Sequence, residues 1–257
     1  MVESRIIPFP RPVAADRMAQ PALAGHRPVT TGHGDLDAGL HGGLARGRLH
    51  ELFAASGHAS QAAGCAAMLA IRANGGAAPF LWLRNERAER EGGRLYMPGL
   101  AALGGTPEKL LLATFRDDQS LLRAALEAAR CRGLGALVVE SWGQAPLYTL
   151  TMSRRLALAA EKSGVTLFLI RIDAEPVPSA AATRWSVRAA PSLPMAANAP
   201  GHGVMEIELL RRRNGPAGMR WRMEWNHEER RFREPALAGP VAAPVEYRAG
   251  DARRRSA

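Results

Sequence analysis

The chain has 257 residues, is 47% hydrophobic and carries a formal net charge of +10. This length and apolar content are sufficient for one α/β core with tails. Two cysteines give no sign of a disulfide framework or a Cys-based metal site. No apolar run reaches the ~20 residues of a membrane span, and the N-terminus has no signal-peptide core. We therefore expect a soluble cytoplasmic protein without a membrane partner.

The positive charge comes almost wholly from arginine, because the only lysines are Lys109 and Lys162. A basic balance favours polyanionic partners such as nucleic acid, which leaves association with the nucleoid open. Abundant Ala, Arg, Gly and Pro with scarce Lys is also typical of a GC-rich coding bias. The charge alone is therefore weak evidence for DNA binding.

The first elements lead into a strand, a loop and a helix. Five prolines among small and polar residues predict an irregular segment over residues 1–31. Asp35 is the expected N-cap of a short helix that ends at the His-Gly-Gly of residues 41–43. Residues 48–53 alternate like a strand, and the Ala-rich residues 62–73 predict a buried helix.

The eight residues between that strand and that helix occupy the place of a phosphate-binding loop, G-x-x-x-x-G-K-[ST]. The glycines of such a loop let backbone N–H groups approach the phosphates, the Lys neutralises them and the hydroxyl holds magnesium. Here Ala54 and Ala59 stand at the glycine positions, Ser60 at the Lys position and Gln61 at the hydroxyl position, and Gly57 is out of register. We predict a degenerate loop that holds no cofactor or metal. The alternative is a connection that never bound a nucleotide.

Short apolar runs alternate with helical patterns along the following hundred residues. Strands are predicted at residues 80–83, 109–113, 134–140 and 165–170, and helices at 96–103, 117–129 and 147–162. Residues 84–86, Arg-Asn-Glu, are predicted as a polar turn. This rhythm indicates an α/β fold with a mostly parallel central sheet flanked by helices.

The C-terminal part predicts antiparallel structure and a basic surface. Residues 183–190 alternate like a strand, and residues 204–210 and 219–225 predict an antiparallel hairpin at the C-terminal edge of the sheet. Candidate DNA contacts are the arginines near this hairpin: Arg211, Arg212, Arg213, Arg220, Arg222, Arg230, Arg231 and Arg233. The interleaved Trp221, Trp225 and Phe232 suit stacking of single-stranded bases. The alternative places the rings in the core and the arginines in solvent.

Several motifs resemble the RecA-like core. T-G-H-G-D-L-D-A-G-L-H-G-G-L-A-R-G-R-L-H-E-L-F is similar to the RecA-family segment before the phosphate loop. G-A-L-V-V-E-S-W resembles the strand that carries the family's magnesium-organising Asp, with Glu140 at that position, and Glu86 falls where the family places its catalytic Glu. L-L-R-R-R-N-G-P resembles the basic hairpin turn whose cations reach a neighbouring subunit's nucleotide, with Arg211 and Arg213 at those positions.

A short, Arg- and Ala-rich RecA-like chain without the loop Lys resembles, more narrowly, the ImuA family of damage-inducible mutagenesis proteins, sometimes labelled SulA-like. The resemblance implies a role in SOS-induced translesion DNA synthesis. It also implies two partners: ImuB, an inactive Y-family polymerase homologue, and an error-prone C-family polymerase subunit.

Glu86 and Glu140 are the vestigial catalytic candidates, because carboxylates at these positions would activate water and hold magnesium. The alternative is that they are strand-end carboxylates that cap or pair with Arg84 or Arg87. Two carboxylates without the loop Lys make a poor NTPase. We therefore expect no catalytic residue in this chain.

These observations predict an irregular segment over residues 1–31, a RecA-like core over 32–233 and a flexible basic tail over 234–257. The expected function is that of a non-catalytic adaptor in SOS mutagenesis that binds a polymerase-like partner. Contact with single-stranded DNA stays open. A divergent ATPase that uses Arg in place of the loop Lys, a SulA-like cell-division inhibitor and a general single-strand binder are the competing hypotheses.

Overall fold

The structure, a computed structural model, describes residues 27–75, 78–194, 199 and 201–235. Most of the predicted irregular N-terminal segment and most of the predicted basic tail lie outside these residues. The limits predicted for the three regions of the chain therefore stay predictions.

One nine-stranded sheet organises the described chain. Its strands are β1 (Leu49–Ala54), β2 (Phe80–Asn85), β3 (Leu110–Phe115), β4 (Ala136–Trp142), β5 (Thr166–Ile172), β6 (Thr183–Ala190), β7 (Val204–Arg212), β8 (Arg220–Asn226) and β9 (Arg231–Arg233). Their order across the sheet is β3-β2-β4-β5-β1-β6-β7-β8-β9. Neighbours from β3 to β6 pair in parallel, and neighbours from β6 to β9 pair antiparallel.

Helices cover both faces of the parallel part of the sheet. They are α1 (Gly34–Gly39), α2 (Ala59–Asn74), α3 (Glu86–Gly92), α4 (Met97–Ala102), α5 (Asp118–Ala128) and α6 (Leu150–Ser163). Residues of α1, α2, α3 and α4 form one hydrophobic cluster with the first face of the sheet. Residues of α5 and α6 form a second cluster with the opposite face. Side chains of a strand point alternately to the two faces, so Leu52 enters the first cluster and Leu49 the second. The predicted α/β class, with a mostly parallel sheet and an antiparallel C-terminal hairpin, is confirmed.

The N-cap predicted for the first helix is wrong. His33 rather than Asp35 caps α1, because His33 Nδ1 accepts a hydrogen bond from the amide of Leu36 at 3.3 Å. Asp35 lies in the first turn of the helix. Asp37 instead accepts from the amide and the hydroxyl of Thr31, each at 2.8 Å, and fixes the approach to the helix.

The polar turn predicted after the second strand is also wrong. Arg84 and Asn85 belong to β2, and the side chain of Asn85 caps α3 by accepting from the amide of Ala88 at 2.8 Å. β4 likewise continues past Glu140 to Trp142. Polar residues are tolerated inside these two strands because Arg84 and Glu140 form a buried ion pair. The three-residue β9 was too short for the sequence pattern to predict.

Candidate functional site

The loop after β1 has the strand–loop–helix geometry of a phosphate-binding loop. β1 ends at Ala54, residues 56–58 form one turn of 3-10 helix, and α2 begins at Ala59. Ser60 and Gln61 are therefore in the first turn of α2, where the Ser60 hydroxyl donates to Gln61 Oε1 at 3.1 Å. His58 Nδ1 instead faces the amide of Ala189 at 3.4 Å. His58 and Ser60 therefore contact other residues and are not paired with each other as a base and a nucleophile would be.

A carboxylate from the end of β5 accepts a hydrogen bond from one backbone amide of this loop. The amide of Ser56 donates to Asp173 Oδ1 at 2.7 Å, and the amide of Asp173 donates to the carbonyl of Ala54 at 3.0 Å. Asp173 directly follows β5 and has a positive φ of 49°. A phosphate entering this loop would meet the negative charge of Asp173 nearby, and the loop has no lysine to offset the phosphate charge. The Ser56 amide is therefore already bonded to an anion that belongs to the chain itself.

Gly57, the one glycine inside the loop, does not supply backbone freedom. Its φ is not positive, and a Cβ added to it would meet no atom within 4 Å. Phosphate loops use glycine because the backbone must approach the ligand or adopt a conformation that a side chain prevents. Gly57 meets neither requirement, so an alanine would fit in its place.

Glu140 is buried and fully engaged by neighbours. Its Oε1 accepts from Arg84 at 3.1 Å and from the indole of Trp142 at 3.0 Å, and its Oε2 accepts from the indole of Trp82 at 3.1 Å. Arg84 and Glu140 have side chains only 3% and 5% exposed. Each of the two carboxylate oxygens of Glu140 has at least one hydrogen-bond donor. Glu140 therefore pairs with Arg84, as expected if this carboxylate has a structural rather than a catalytic role.

Glu86 lies apart from this network. It is the first residue of α3 and is exposed, at the carboxyl edge of the sheet where β2 ends. A carboxylate in the first turn of a helix interacts favourably with the helix dipole. The interaction with the helix dipole is a sufficient reason for a carboxylate at this position without any catalytic role. The same placement leaves the carboxylate accessible to solvent.

A cleft of about 280 Å³ opens between α2 and the α3–α4 segment. The rings of Trp82 and Trp142 line it together with Ser60, and its lining is chiefly apolar. Arg94 also lines it, but the Arg94 guanidinium pairs with Glu89 at 2.8 Å. Because Glu140 is already neutralised by Arg84, the cleft suits an uncharged, apolar group better than a triphosphate.

The basic region around the hairpin is neutralised in part. Alternate side chains of β6 to β9 point to the face opposite the first hydrophobic cluster, where Arg and Glu face each other across neighbouring strands. The ion pairs are Arg188–Glu206 at 2.9 Å, Arg220–Glu208 at 3.0 Å and Arg233–Glu224 at 3.0 Å. A phosphate backbone would have to compete with these carboxylates for the same cations.

Three further candidate arginines are anchored on the protein's own backbone. Arg212 donates to the last carbonyls of α1 at 2.7 and 3.0 Å, which satisfies groups that a helix end leaves unpaired. Arg211 and Arg222 donate to the carbonyls of Ser179 and Pro191 at 3.0 and 2.9 Å. Burial lowers the pKa of Arg211 and of Arg212 from the ordinary arginine value.

The remaining candidates divide into one paired and two unpaired side chains. Arg231 pairs with Glu229 at 2.6 Å. Among the described residues, Arg213 and Arg230 show no side-chain ion pair or hydrogen bond, and both are exposed. The eight arginines predicted as one DNA-contact set therefore have different environments, and only these two present an unengaged guanidinium.

The aromatic residues of this region belong to the interior. Trp225 is 3% and Phe232 0% exposed, and their rings meet edge to face at 4.9 Å between centroids. Trp221 is half-buried and packs against Trp185. Trp225 and Phe232 are therefore not accessible for stacking with bases, which agrees with the alternative that places the rings in the core.

Sequence reasoning missed a buried polar cluster on the α6 face. Glu51 of β1 pairs with Arg184 at 2.8 Å and accepts a short hydrogen bond from the hydroxyl of Tyr148. Arg171 of β5 lies over the rings of Tyr148 and Phe53, at 4.9 and 5.9 Å from their centroids. Burial is the main cause that raises the pKa of Tyr148 and lowers that of Arg171. The sequence signal for this cluster was a charged residue within an otherwise apolar strand, Glu51 in β1 and Arg171 in β5.

The described residues contain no helix long and apolar enough to cross a membrane. They also contain no cluster of three or more His, Cys, Asp or Glu side chains that could hold a metal ion.

Comparison with known proteins gives a likeness of fold. The chain is similar to the RadB recombinase in its crystal structure, with a TM-score of 0.55 and 18% sequence identity over 80% of this chain and 99% of that one. No protein-family model matches the chain, and no curated protein matches it. The chain has a RecA-like fold, in agreement with the coarser part of the resemblance drawn from its motifs.

Proposed function

We propose that this RecA-like chain is an accessory protein that works without nucleotide turnover and binds a polymerase-like partner in damage-induced translesion DNA synthesis. The observation that carries the proposal is the loop after β1, whose Ser56 amide is already bonded to Asp173. The loop keeps the strand–loop–helix frame, lacks the lysine and directs the amide of Ser56 at its own Asp173. A chain that keeps the frame after losing the phosphate chemistry is useful as a binding surface.

The state of Glu140 supports the same proposal. Magnesium needs carboxylate oxygens with free lone pairs, whereas Glu140 already accepts from Arg84 and from two indoles. Opening this site to a metal would leave Arg84 buried without its carboxylate, which is costly. The pairing of Glu140 with Arg84 therefore supports a structural role for this carboxylate in the proposal.

The partners of the proposal come from the resemblance to the ImuA family. They are an ImuB-type inactive Y-family polymerase and an error-prone C-family polymerase subunit. Single-stranded DNA is a further candidate partner, and Arg213 and Arg230 are the residues to carry it. A DNA affinity that falls steeply with salt and is lost in the Arg213→Ala, Arg230→Ala double variant would support that contact.

Affinity capture with the purified full-length chain tests the adaptor role. We expect it to retain the ImuB-type protein from cells after DNA damage, with no dependence on added ATP. The chain cut after Arg233 is the matched sample, because it keeps the whole described sheet and removes the basic tail. Absence of the polymerase homologue from captures with the full-length chain would count against the proposal.

A divergent ATPase is the second candidate, and the exposure of Glu86 favours it. Glu86 stands at the carboxyl edge of the sheet with its carboxylate accessible to water. In this hypothesis Glu86 activates water and an arginine replaces the loop Lys. Steady-state hydrolysis of magnesium–ATP that disappears in Glu86→Gln, with folding unchanged, would establish it in place of the adaptor.

A further inference from the structure

A cavity of about 200 Å³ opens at the amino edge of the parallel strands. It lies where β2 begins, at Phe80, and where α2 ends, at Asn74. The degenerate loop follows the carboxyl end of β1, and β1 and β2 run in the same direction through β4 and β5. The 16 residues of α2 span about 24 Å between the two places. This cavity, the amino-edge pocket, is therefore separate from the loop.

Three cationic side chains from distant parts of the chain line the amino-edge pocket. They are Arg72 of α2, Lys109 directly before β3 and Arg230 between β8 and β9. The Arg72 guanidinium donates to the carbonyl and the hydroxyl of Thr30, each at 2.8 Å, and to the carbonyl of Arg230 at 3.2 Å. These acceptors are neutral, so they hold the guanidinium in place without cancelling its charge.

The backbone places the Arg230 side chain against the loop that follows α4. Arg230 has a φ of 50°, in a region that residues other than glycine adopt uncommonly. Gly104 has a φ of 84°, and a Cβ added to it would meet the Arg230 side chain at 2.9–3.0 Å. Within the described part of the chain, the Arg230 guanidinium has no ion pair or hydrogen bond. A glycine thus makes room at this pocket for a cation that the chain itself does not engage.

The balance of charge around the pocket favours an anion. Glu229 also lines the pocket, but its carboxylate pairs with Arg231 at 2.6 Å. The carboxyl end of α2 contributes roughly half a negative charge, which is small beside the charges of three cationic side chains. The volume is below the roughly 300–1,000 Å³ of pockets that hold drug-sized ligands. The pocket therefore suits a small anionic group.

We propose that the amino-edge pocket binds a phosphate monoester group through Arg72, Lys109 and Arg230. Such a group carries about −1.5 to −2 charges at neutral pH and has three strong acceptor oxygens, which fit three cations better than the single charge of a carboxylate does. Arginine and lysine form charge-assisted hydrogen bonds with phosphate. Two sources present this chemistry: a free phosphate compound and the terminal phosphate of a nucleic acid strand. The inference goes beyond the proposed function and does not depend on a polymerase-like partner.

Isothermal titration of the full-length chain with inorganic phosphate, at constant ionic strength, tests the proposal. Arg230→Gly and Lys109→Met are the pocket variants, and glycine suits the positive φ, so Arg230→Gly removes the cation without backbone strain. Arg155→Ala removes one exposed cation from α6, on the opposite face of the sheet, and is the matched control. Thermal melts verify the folding of each variant. Hydrogen exchange of residues 104–109 and 229–230 locates the bound phosphate.

We expect saturable binding that slows exchange in these two segments. Each pocket variant is expected to weaken it by roughly tenfold, the scale of one hydrogen bond to a charged group, while Arg155→Ala leaves the affinity unchanged. No saturable heat at millimolar phosphate, or an equal loss of affinity in Arg155→Ala, would overturn the proposal. Equal binding of acetate would also overturn it, because the pocket would then not distinguish a phosphate from a carboxylate.

Two oligonucleotides of one sequence, with a 5′-phosphate or a 5′-hydroxyl, distinguish the two sources. Tighter binding of the phosphorylated strand that is lost in Lys109→Met would assign the pocket to a strand end. Equal binding of both strands that Lys109→Met leaves unchanged, together with binding of inorganic phosphate, would assign it to a free phosphate compound. Equal binding of both strands that Lys109→Met weakens would overturn the proposal, because the pocket would then accept internal phosphodiesters.

Discussion

Replacing Glu140 by alanine separates a structural carboxylate from a catalytic one. In the wild-type chain Glu140 accepts from Arg84, Trp82 and Trp142 at 3.0–3.1 Å. Alanine removes every one of these acceptors. Arg84 then keeps only its bonds to the carbonyls of Ala88 and Gly93, at 2.8 and 2.7 Å.

The expected cost follows from what the substitution leaves unpaired. Removing one partner of a buried ion pair destabilises a protein by roughly 3–5 kcal/mol, because the remaining charge stays buried. Trp82 and Trp142 line a cleft open to solvent, and Arg84 keeps two carbonyl partners. We therefore expect Glu140→Ala to lower the free energy of unfolding by about 3 kcal/mol, out of the roughly 5–15 kcal/mol typical of a folded protein.

Urea unfolding followed by circular dichroism measures this loss. The double variant Arg84→Met, Glu140→Leu removes both charges and is expected to lose less than the sum of the two single variants, because no lone charge is left buried. A loss below about 1 kcal/mol in Glu140→Ala, or a gain in stability, would refute this reasoning. Either result would indicate that Glu140 is retained for a ligand rather than for Arg84.

Three other predictions concern β1 and the loop that follows it. Asp173→Ala is expected to lower the free energy of unfolding by about 1 kcal/mol through the lost bond to Ser56, whereas Asp173→Asn, which accepts the same bond and tolerates a positive φ, stays near wild type in the same urea titration. Gly57→Ala is expected to leave stability unchanged or to raise it by up to about 1 kcal/mol, and a clear loss would show that the loop needs the glycine. Burial lowers the pKa of His50 in β1 to about 4. Between about pH 6.5 and 4, His50 therefore binds a proton in the unfolded chain but not in the folded chain. Stability contributed by neutral His50 is then complete above pH 6.5 and decreases by up to about 3 kcal/mol as the pH falls to 4. NMR titration of the His50 ring tests this directly, and a midpoint near 6.5 would contradict it.

Much of the fold could be predicted from sequence because its elements have local signatures. The helix predicted over residues 117–129 matches α5, which Asp117 caps, and Gly164 ends α6 in the left-handed conformation. The alternation along residues 183–190 identified β6 at its observed bounds. These signals depend on neighbours in the chain, so a single sequence contains them.

The candidate site could be predicted only in part because its contacts join distant residues. The spacing identified the degenerate loop, but the bond from Ser56 to Asp173 crosses 117 positions. The pairing of Glu140 with Arg84 was weighed as an alternative, whereas the two indoles that complete it were not. The arginines around the hairpin looked like one basic surface in sequence, and the carboxylates of neighbouring strands neutralise part of it.

Isothermal titration of the full-length chain with magnesium–ATP tests the central claim most directly, because the claim is that the loop no longer accepts a triphosphate. We predict no saturable heat at millimolar nucleotide. The Asp173→Asn variant is expected to show no saturable heat either, because the loop still lacks the lysine. Stoichiometric binding at micromolar affinity by the wild-type chain would contradict the account.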